Sequence, residues 1–257
     1  MALPPYYSCL GPFRETFRSG HALLTYHHVG PRPRGARLKG LYLSDRLFAR
    51  QVEELRNQGF STPPYDSLLT RSSTEAEDRV FLTFDDGFCD VFEHALPLLQ
   101  KQQFLAIEFI VVDLVGKTSE WQRRNDDVPG PLMSRSQIKE WLAAGNEIGS
   151  HTLTHPFLTR IPPAEAREEI TASKKKLEDW FGRSIRHFCY PFGDWNQAVR
   201  DLVVEAGYET ACTTQFGVNQ ASFDVFALKR VTARYPSRSL KSLRGWLKRF
   251  RAALSLC

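Results

Sequence analysis

Asp78-Arg79-Val80-Phe81-Leu82-Thr83-Phe84-Asp85-Asp86-Gly87-Phe88-Cys89-Asp90 is the stretch on which the reading of this chain turns. Val80 to Phe84 is apolar apart from Thr83 and rich in strand formers, and Gly87 closes the run. That pattern predicts a strand buried on both faces, as in a parallel sheet. The strand delivers Asp85 and Asp86 to its C-terminal end, where α/β sheets and barrels carry their chemistry. Two adjacent carboxylates repel each other, so the pair is costly unless a cation or a proton lies between them. A solvated Asp-Gly turn is the competing reading, and the stretch alone leaves both open.

At 257 residues the chain suits one large α/β domain or two small ones. With 42% apolar and 25% charged residues, it has the balance of a soluble globular protein rather than a disordered or membrane-embedded one. The net charge of +5 fits an anionic partner, although the excess lies mainly toward the two ends of the chain. No basic stripe interleaved with aromatics and no zinc-finger spacing is present, which argues against nucleic acid. Cys9, Cys89, Cys189, Cys212 and Cys257 are scattered and odd in number, so reduced thiols are expected. The N-terminus lacks the basic-then-apolar design of a secretory signal. The longest apolar stretch, Phe104 to Gly116, is interrupted by Glu108 and Asp113 and is too short to span a bilayer. A cytoplasmic location follows as the expectation, with contact at the inner membrane face left open.

Outward from the central strand, elements alternate. Residues 1–20 show no clear period and are read as an irregular arm. Ala22 to Tyr26 is a short buried-type strand ending at His27-His28, and residues 31–40 form a basic loop, either bordering an anionic substrate or merely solvated. Ser44 and Asp45 cap a helix reaching Gln58, with Gly59 as its stop. A polar linker, Ser72 to Asp78, leads into the central strand. Further strands are expected at 105–112, 147–150, 185–190, 208–213 and 226–231. Helices are expected at 91–102, from Ser134 with capping-box spacing to Gly145, at 163–181 and at 196–206. The alternation, with roughly seven strands, predicts one parallel sheet, open or rolled into a barrel. Residues 239–257 read as a basic amphipathic helix, suited either to an anionic membrane or to docking on the domain.

His151-Thr152-Leu153-Thr154-His155 follows a predicted strand end and so shares a rim with the aspartates. Within one helical turn, two imidazoles four residues apart would point the same way and suit a shared metal ion. One carboxylate and two histidines leave positions open for water and substrate. The second carboxylate is then free to act as a base.

Thr83-Phe84-Asp85-Asp86-Gly87 and Ser150-His151-Thr152-Leu153-Thr154-His155 resemble the first two motifs of the polysaccharide deacetylases, the family-four carbohydrate esterases. Tyr190-Pro191-Phe192-Gly193 resembles their third, and the likeness runs from about Ala22 to Val231. The resemblance implies a single distorted (β/α) barrel of about seven parallel strands over residues 21–238. It implies a metal-dependent hydrolase that removes acetyl groups from N-acetylhexosamine units of a glycan. One divalent ion is expected, Zn2+ first, with Co2+, Ni2+ or Fe2+ as alternatives. In this likeness Asp85 is the base, and Asp86, His151 and His155 are the metal ligands. Tyr190, Pro191, Phe192 and Gly193 form the oxyanion and substrate turn.

Two departures stand out. The family's arginine two residues before the motif-three proline is here Cys189, which leaves Arg230 and Arg186 as candidates to pair with the base. The C-terminal Leu-x-His motif is missing, whereas Tyr26-His27-His28-Val29 resembles the permuted, poly-N-acetylglucosamine deacetylase branch and makes His27 the candidate acid. A catalytically silent glycan-binding protein on the same fold and a hydrolase of another non-peptide C–N bond are the alternatives. Oligomeric state is not legible.

Overall fold

The computed structural model describes residues 3–69, 78–220 and 222–235. The expected helix at 239–257 and most of the linker before the central strand lie outside the described residues. Alternating short apolar runs and amphipathic segments give nine strands among the described residues. They are β1 Ala22–Tyr26, β2 His28–Val29, β3 Tyr42–Leu43, β4 Val80–Asp86, β5 Ala106–Ile110, β6 Glu147–Ser150, β7 His187–Cys189, β8 Thr210–Phe216 and β9 Leu228–Thr232. Seven of them close a parallel barrel in the order β1-β4-β5-β6-β7-β8-β9, while β2 and β3 pair separately beside it. The closing seam pairs Leu24 with Val231 and Thr25 with Thr232. The barrel is uneven. β6 and β7 share the single register pair Ser150 and Phe188, and the β8–β9 ladder shifts register between Cys212 and Phe216.

Helices α1 Arg14–Arg18, α2 Asp45–Asn57, α3 Leu96–Gln102, α4 Glu120–Arg124, α5 Arg135–Ala143, α6 Pro163–Phe181 and α7 Gln197–Glu205 accompany the strands. Local sequence sets several of their ends. Ser44 caps α2 by accepting from the Leu47 N–H, Ser134 and Gln137 make a reciprocal capping box on α5, and Asn196 caps α7.

Alternation along β4 sorts its side chains. Val80, Leu82 and Phe84 join the large core between barrel and helices, and Phe81 joins the smaller cluster with Leu23, Ile107 and Phe109. Phe84 stacks on Tyr26 at 5.3 Å, and both meet Phe48 of α2. Each such fully buried aromatic contributes about 1.5–3 kcal/mol.

Residues 3–20 differ from the irregular arm expected. Tyr7, Leu10, Phe13 and Phe17 are buried in the main core, and Phe13 and Phe17 pack together in and beside α1. Apolar residues at spacings of three and four carry the segment onto the barrel, and the Tyr7 N–H donates to the Thr232 carbonyl. Four cysteines, Cys9, Cys89, Cys189 and Cys212, are free thiols. Among the described residues no helix is long and apolar enough to cross a membrane.

Candidate metal and active site

A cavity of about 700 Å3 opens at the C-terminal mouth of the barrel, with His27, Asp85, Asp86, His151, His155, Tyr190 and Phe192 in its lining. Strand alternation would send Asp85 and Asp86 to opposite faces. The backbone of Asp86 instead turns into the left-handed region at φ 84°, and Gly87 follows at φ 80°. This break brings both carboxylates to one cavity. A non-glycine residue held there carries about 1–3 kcal/mol of strain, which the surrounding structure must sustain. Glu108 helps to sustain it: buried on β5, it accepts the Gly87 N–H at 2.8 Å. Burial, and then the charges of Asp85, Asp86 and Asp90, push the Glu108 carboxyl well above its usual range, against the opposing Gly87 bond.

Asp86 meets the two histidines. Its Oδ1 lies 3.4 Å from His151 Nε2 and 3.2 Å from His155 Nε2. The His151 Nδ1 donates to the Cys189 carbonyl at 2.7 Å, so its Nε2 presents a lone pair to the carboxylate unless the ring takes a second proton. Burial holds His155 below its ordinary pKa despite Asp86 beside it. Burial would raise Asp86, but the imidazoles of His151 and His155 beside it hold it well below the usual range. The donor atoms of all three lie within 4.8 Å of one another, and all three residues are buried. Acceptors converging in this way fit a divalent cation better than they fit each other.

The histidine segment is not helical, contrary to the expectation of one helical turn. Thr152 and His155 both have positive φ, 69° and 64°, which a helix forbids. Glu169 of α6 replaces helical bonding, accepting from the N–H groups of Leu153 and Thr154 at 2.8 and 2.9 Å and from the Thr154 hydroxyl. The Val112 and Asp113 N–H groups bind the segment's carbonyls. Trp121 of α4 stacks on His155 at 4.5 Å, and Phe192 meets the same ring edge-on at 4.4 Å.

Asp85 has a different partner. Arg230, buried on β9, donates from Nη1 and Nη2 to both its oxygens at 2.7 Å, and also reaches the Thr83 hydroxyl, the Thr213 carbonyl and the Cys189 sulfur. Burial alone would raise Asp85, but Arg230 overrides it and holds the carboxyl below its usual range. Cys189, Asp85 and His151 also form a close trio. They make a poor metal site, because Asp85 is spent on Arg230 and burial pushes the Cys189 thiol well up. His27 Nε2 lies 3.7 Å from Asp85 Oδ2, beyond hydrogen-bond length. Burial lowers its pKa more than Asp85 and Asp86 raise it, so the ring is neutral at rest. His28 points elsewhere, bonded to Asp90 at 2.7 Å and stacked between Tyr42 and Phe88.

Tyr190 to Gly193 forms a tight turn in which Phe192 takes φ 59°. Gly193 is required there, since a Cβ would fall 2.0 Å from the Thr214 hydroxyl oxygen. Tyr190 donates to the Phe226 carbonyl, and Pro191 is buried. Arg186 is a correction: placed just before β7, at the opposite mouth, it binds Glu209 and Asp66 and cannot serve Asp85. Asp194 is spent on Thr159, and Trp195 packs against Tyr190.

Sequence reasoning passed over Glu108, Trp121 and Glu169. Only Glu108 left a signal, as a lone carboxylate inside an apolar run.

Comparisons with known proteins point to one family. The family model described as polysaccharide deacetylase matches residues 72–211, more than half of the chain. YxkH of Bacillus subtilis, a candidate polysaccharide deacetylase, is 27% identical over 81% of this chain and 70% of its own. A poly-β-1,6-N-acetyl-D-glucosamine N-deacetylase of Staphylococcus aureus is 25% identical over 66% of this chain and 60% of its own. The structure of IcaB from Ammonifex degensii superposes with a TM-score of 0.73 at 25% identity, covering 89% of this chain and 97% of that one.

Proposed function

The chain belongs to the polysaccharide deacetylase family, and from that premise we propose that it is a metal-dependent hydrolase releasing acetate from N-acetylhexosamine units of a glycan or glycan precursor. The observation that carries this reading is the division of the two aspartates. Arg230 clamps both oxygens of Asp85, while Asp86 turns to two histidines in the same 700 Å3 cavity.

Asp86, His151 and His155 would hold the ion, and one carboxylate with two imidazoles suits Zn2+ first, with Co2+, Ni2+ or Fe2+ as alternatives. When bound, the ion polarises the acetyl carbonyl and makes a water more acidic. Asp85, kept ionised by Arg230, takes a proton from the attacking water as the new C–O bond forms. The N–H of Phe192, on the rigid Tyr190–Gly193 turn, is our candidate donor to the developing oxyanion. His27 gives a proton to the leaving nitrogen as the C–N bond breaks. Neutral at rest, His27 must first gain that proton, and Asp85, 3.7 Å away, holds one once the water has been deprotonated. The products are a free amine and acetic acid, which leaves as acetate after giving its proton to the amine or to solvent.

The test is acetate release from N-acetylhexosamine oligomers by the metal-loaded protein, with Asp85→Asn as the control. Release that disappears in the variant supports the reading. No release from any oligomer overturns it.

A further inference from the structure

The basic loop at 31–40 has no part in the chemistry above, yet it borders a second pocket of about 560 Å3 that shares Tyr6 and Arg234 with the catalytic cavity. Arg32, Lys39 and Arg234 line this pocket, and none of its lining residues is acidic. Arg234 follows β9, and its N–H donates to the Tyr7 carbonyl at 2.8 Å, which fixes the backbone. Its guanidinium lies over the Tyr6 ring, 4.1 Å from the centroid. On the other side it presses on Gly40, where a Cβ would sit 2.8 Å from the guanidinium carbon. Its Nε is buried without a hydrogen-bond partner among the described residues. A guanidinium so packed and left with an unpartnered N–H is a donor awaiting an anion. The loop is also held in place rather than merely solvated. Asp127 accepts the N–H groups of Arg37 and Leu38 at 2.7 and 3.0 Å, and the Tyr235 hydroxyl accepts the Ser44 N–H on the pocket's far wall.

We propose that this second pocket is an anion subsite, in which Arg234, with Arg32 and Lys39 at the rim, receives a phosphate group carried by the acetylated sugar. Three positive charges with no acid match a doubly charged phosphate better than a single carboxylate. The shared wall of Tyr6 and Arg234 puts that phosphate next to the residue being deacetylated, so the substrate is a phosphorylated N-acetylhexosamine rather than a neutral polymer. This proposal rests on the deacetylase reading for its substrate, but not for the anion subsite itself.

Two measurements test the two parts separately. Calorimetric titration of the metal-loaded protein with inorganic phosphate, at fixed low salt, is compared among wild type, Arg234→Gln, Arg234→Lys and Arg32→Gln/Lys39→Gln. Binding should weaken at least about tenfold in Arg234→Gln, the scale of one charge-assisted hydrogen bond. Arg234→Lys should retain part of it, and the loop double variant, which alters only exposed side chains, should weaken it without touching the fold. Phosphate bound elsewhere, at the ion included, would be indifferent to all three, and that result overturns the subsite.

In the second measurement, kcat/KM is compared for methyl N-acetylglucosaminide, N-acetylglucosamine 1-phosphate and the same sugar on a short prenyl diphosphate. A preference of about tenfold or more for either phosphorylated sugar, falling toward one in Arg234→Gln, supports the inference. Which of the two is preferred tells a soluble sugar phosphate from a lipid-linked one. Equal rates on all three substrates overturn it. If none is turned over, the deacetylase reading fails, and the phosphate titration still decides the subsite.

Discussion

Histidine and carboxylates meet at both mouths of this barrel, and the two clusters behave differently. At the C-terminal mouth are Asp86, His151 and His155, and at the N-terminal mouth Asp66, Glu147 and His187, each with donor atoms within 4.8 Å of one another. In the lower cluster every polar group has its complement. His187 Nε2 donates to Asp66 at 2.6 Å, its Nδ1 meets the Thr210 hydroxyl at 2.9 Å, and Arg186 ties Asp66 to Glu209. A neutral imidazole satisfies that network with no ion, and the nearby guanidinium would repel one. In the upper cluster the His151 lone pair faces a carboxylate at 3.4 Å, His155 Nδ1 is buried without a partner, and Arg230 is spent on Asp85. Proximity of ligand-type residues therefore does not make a metal site. An unmatched set of acceptors does.

The largest effect should come from breaking the upper cluster. Asp86→Ala and His151→Ala are expected to lose the ion by elemental analysis and acetate release with it. Asp85→Asn should keep the ion and lose about 10²–10⁴ in kcat, the range of a general base. His187→Gln, at the lower mouth, should keep both ion and kcat. If His187→Gln lost the ion as Asp86→Ala does, the contrast between the mouths would collapse.

Arg230→Met comes next. It leaves Asp85 buried and unpaired, a change that costs about 3–5 kcal/mol where one partner of a buried pair is removed, readable as a fall in thermal midpoint. The sign of the pH effect follows from the causes acting on Asp85. Arg230 depresses its pKa, so the base is ionised throughout the neutral range. With Arg230 gone, burial dominates and raises the pKa. The acid limb of the pH–rate profile should then move to higher pH, and an unmoved limb would deny Asp85 the role of base.

Glu108 gives a smaller, more discriminating effect. Because burial favours the protonated form of its carboxyl and a Gln carbonyl oxygen can accept the same bond, Glu108→Gln should retain the bond from Gly87 and most of kcat. Glu108→Leu should free the Asp86–Gly87 turn and lose about 10- to 100-fold in metal affinity or kcat, as outer-shell losses do. Equal loss in both variants would mean that the carboxylate charge, not the bond, matters.

The smallest effect belongs to the lower cluster. The bond from His187, ahead of the opposing effect of burial, lowers the Asp66 pKa, with Arg186 adding to it. A depressed carboxyl contributes stability above its unfolded pKa and loses it as pH falls through the folded value. Asp66 is 45% exposed, so solvent screens the pair and the contribution at neutral pH is about 0–1 kcal/mol. Denaturation curves of wild type and Asp66→Asn should therefore differ slightly at pH 7 and converge on acidification below the carboxylate range.

Much of the barrel could be read from the sequence because its strands are short apolar runs with clear ends. The central strand, the Ser134 capping box and the long helix 163–181 all fall where local chemistry puts them. The segment 151–155 could not be read that way. Two histidines four apart suggest a helix, and nothing local reveals that Glu169 binds its N–H groups or that Thr152 and His155 take positive φ. The first twenty residues were equally opaque, since their aromatics acquire a pattern only when the barrel supplies a surface for Tyr7, Phe13 and Phe17.

By itself, then, the sequence determined the succession of strands along the chain, the residue types gathered at one mouth and the kinship of three motifs, because hydrophobic period and short-range chemistry are local properties. Only the tertiary structure decided which arginine clamps Asp85. Arg186 and Arg230 are equally basic on paper, yet barrel closure carries Arg230 on β9 across to Asp85 and Cys189, while Arg186 stays at the far mouth. It also decided that Asp86 faces the same cavity as Asp85, through one left-handed residue against the alternation of its strand. Both depend on contacts between residues far apart in the chain, and no local pattern encodes them.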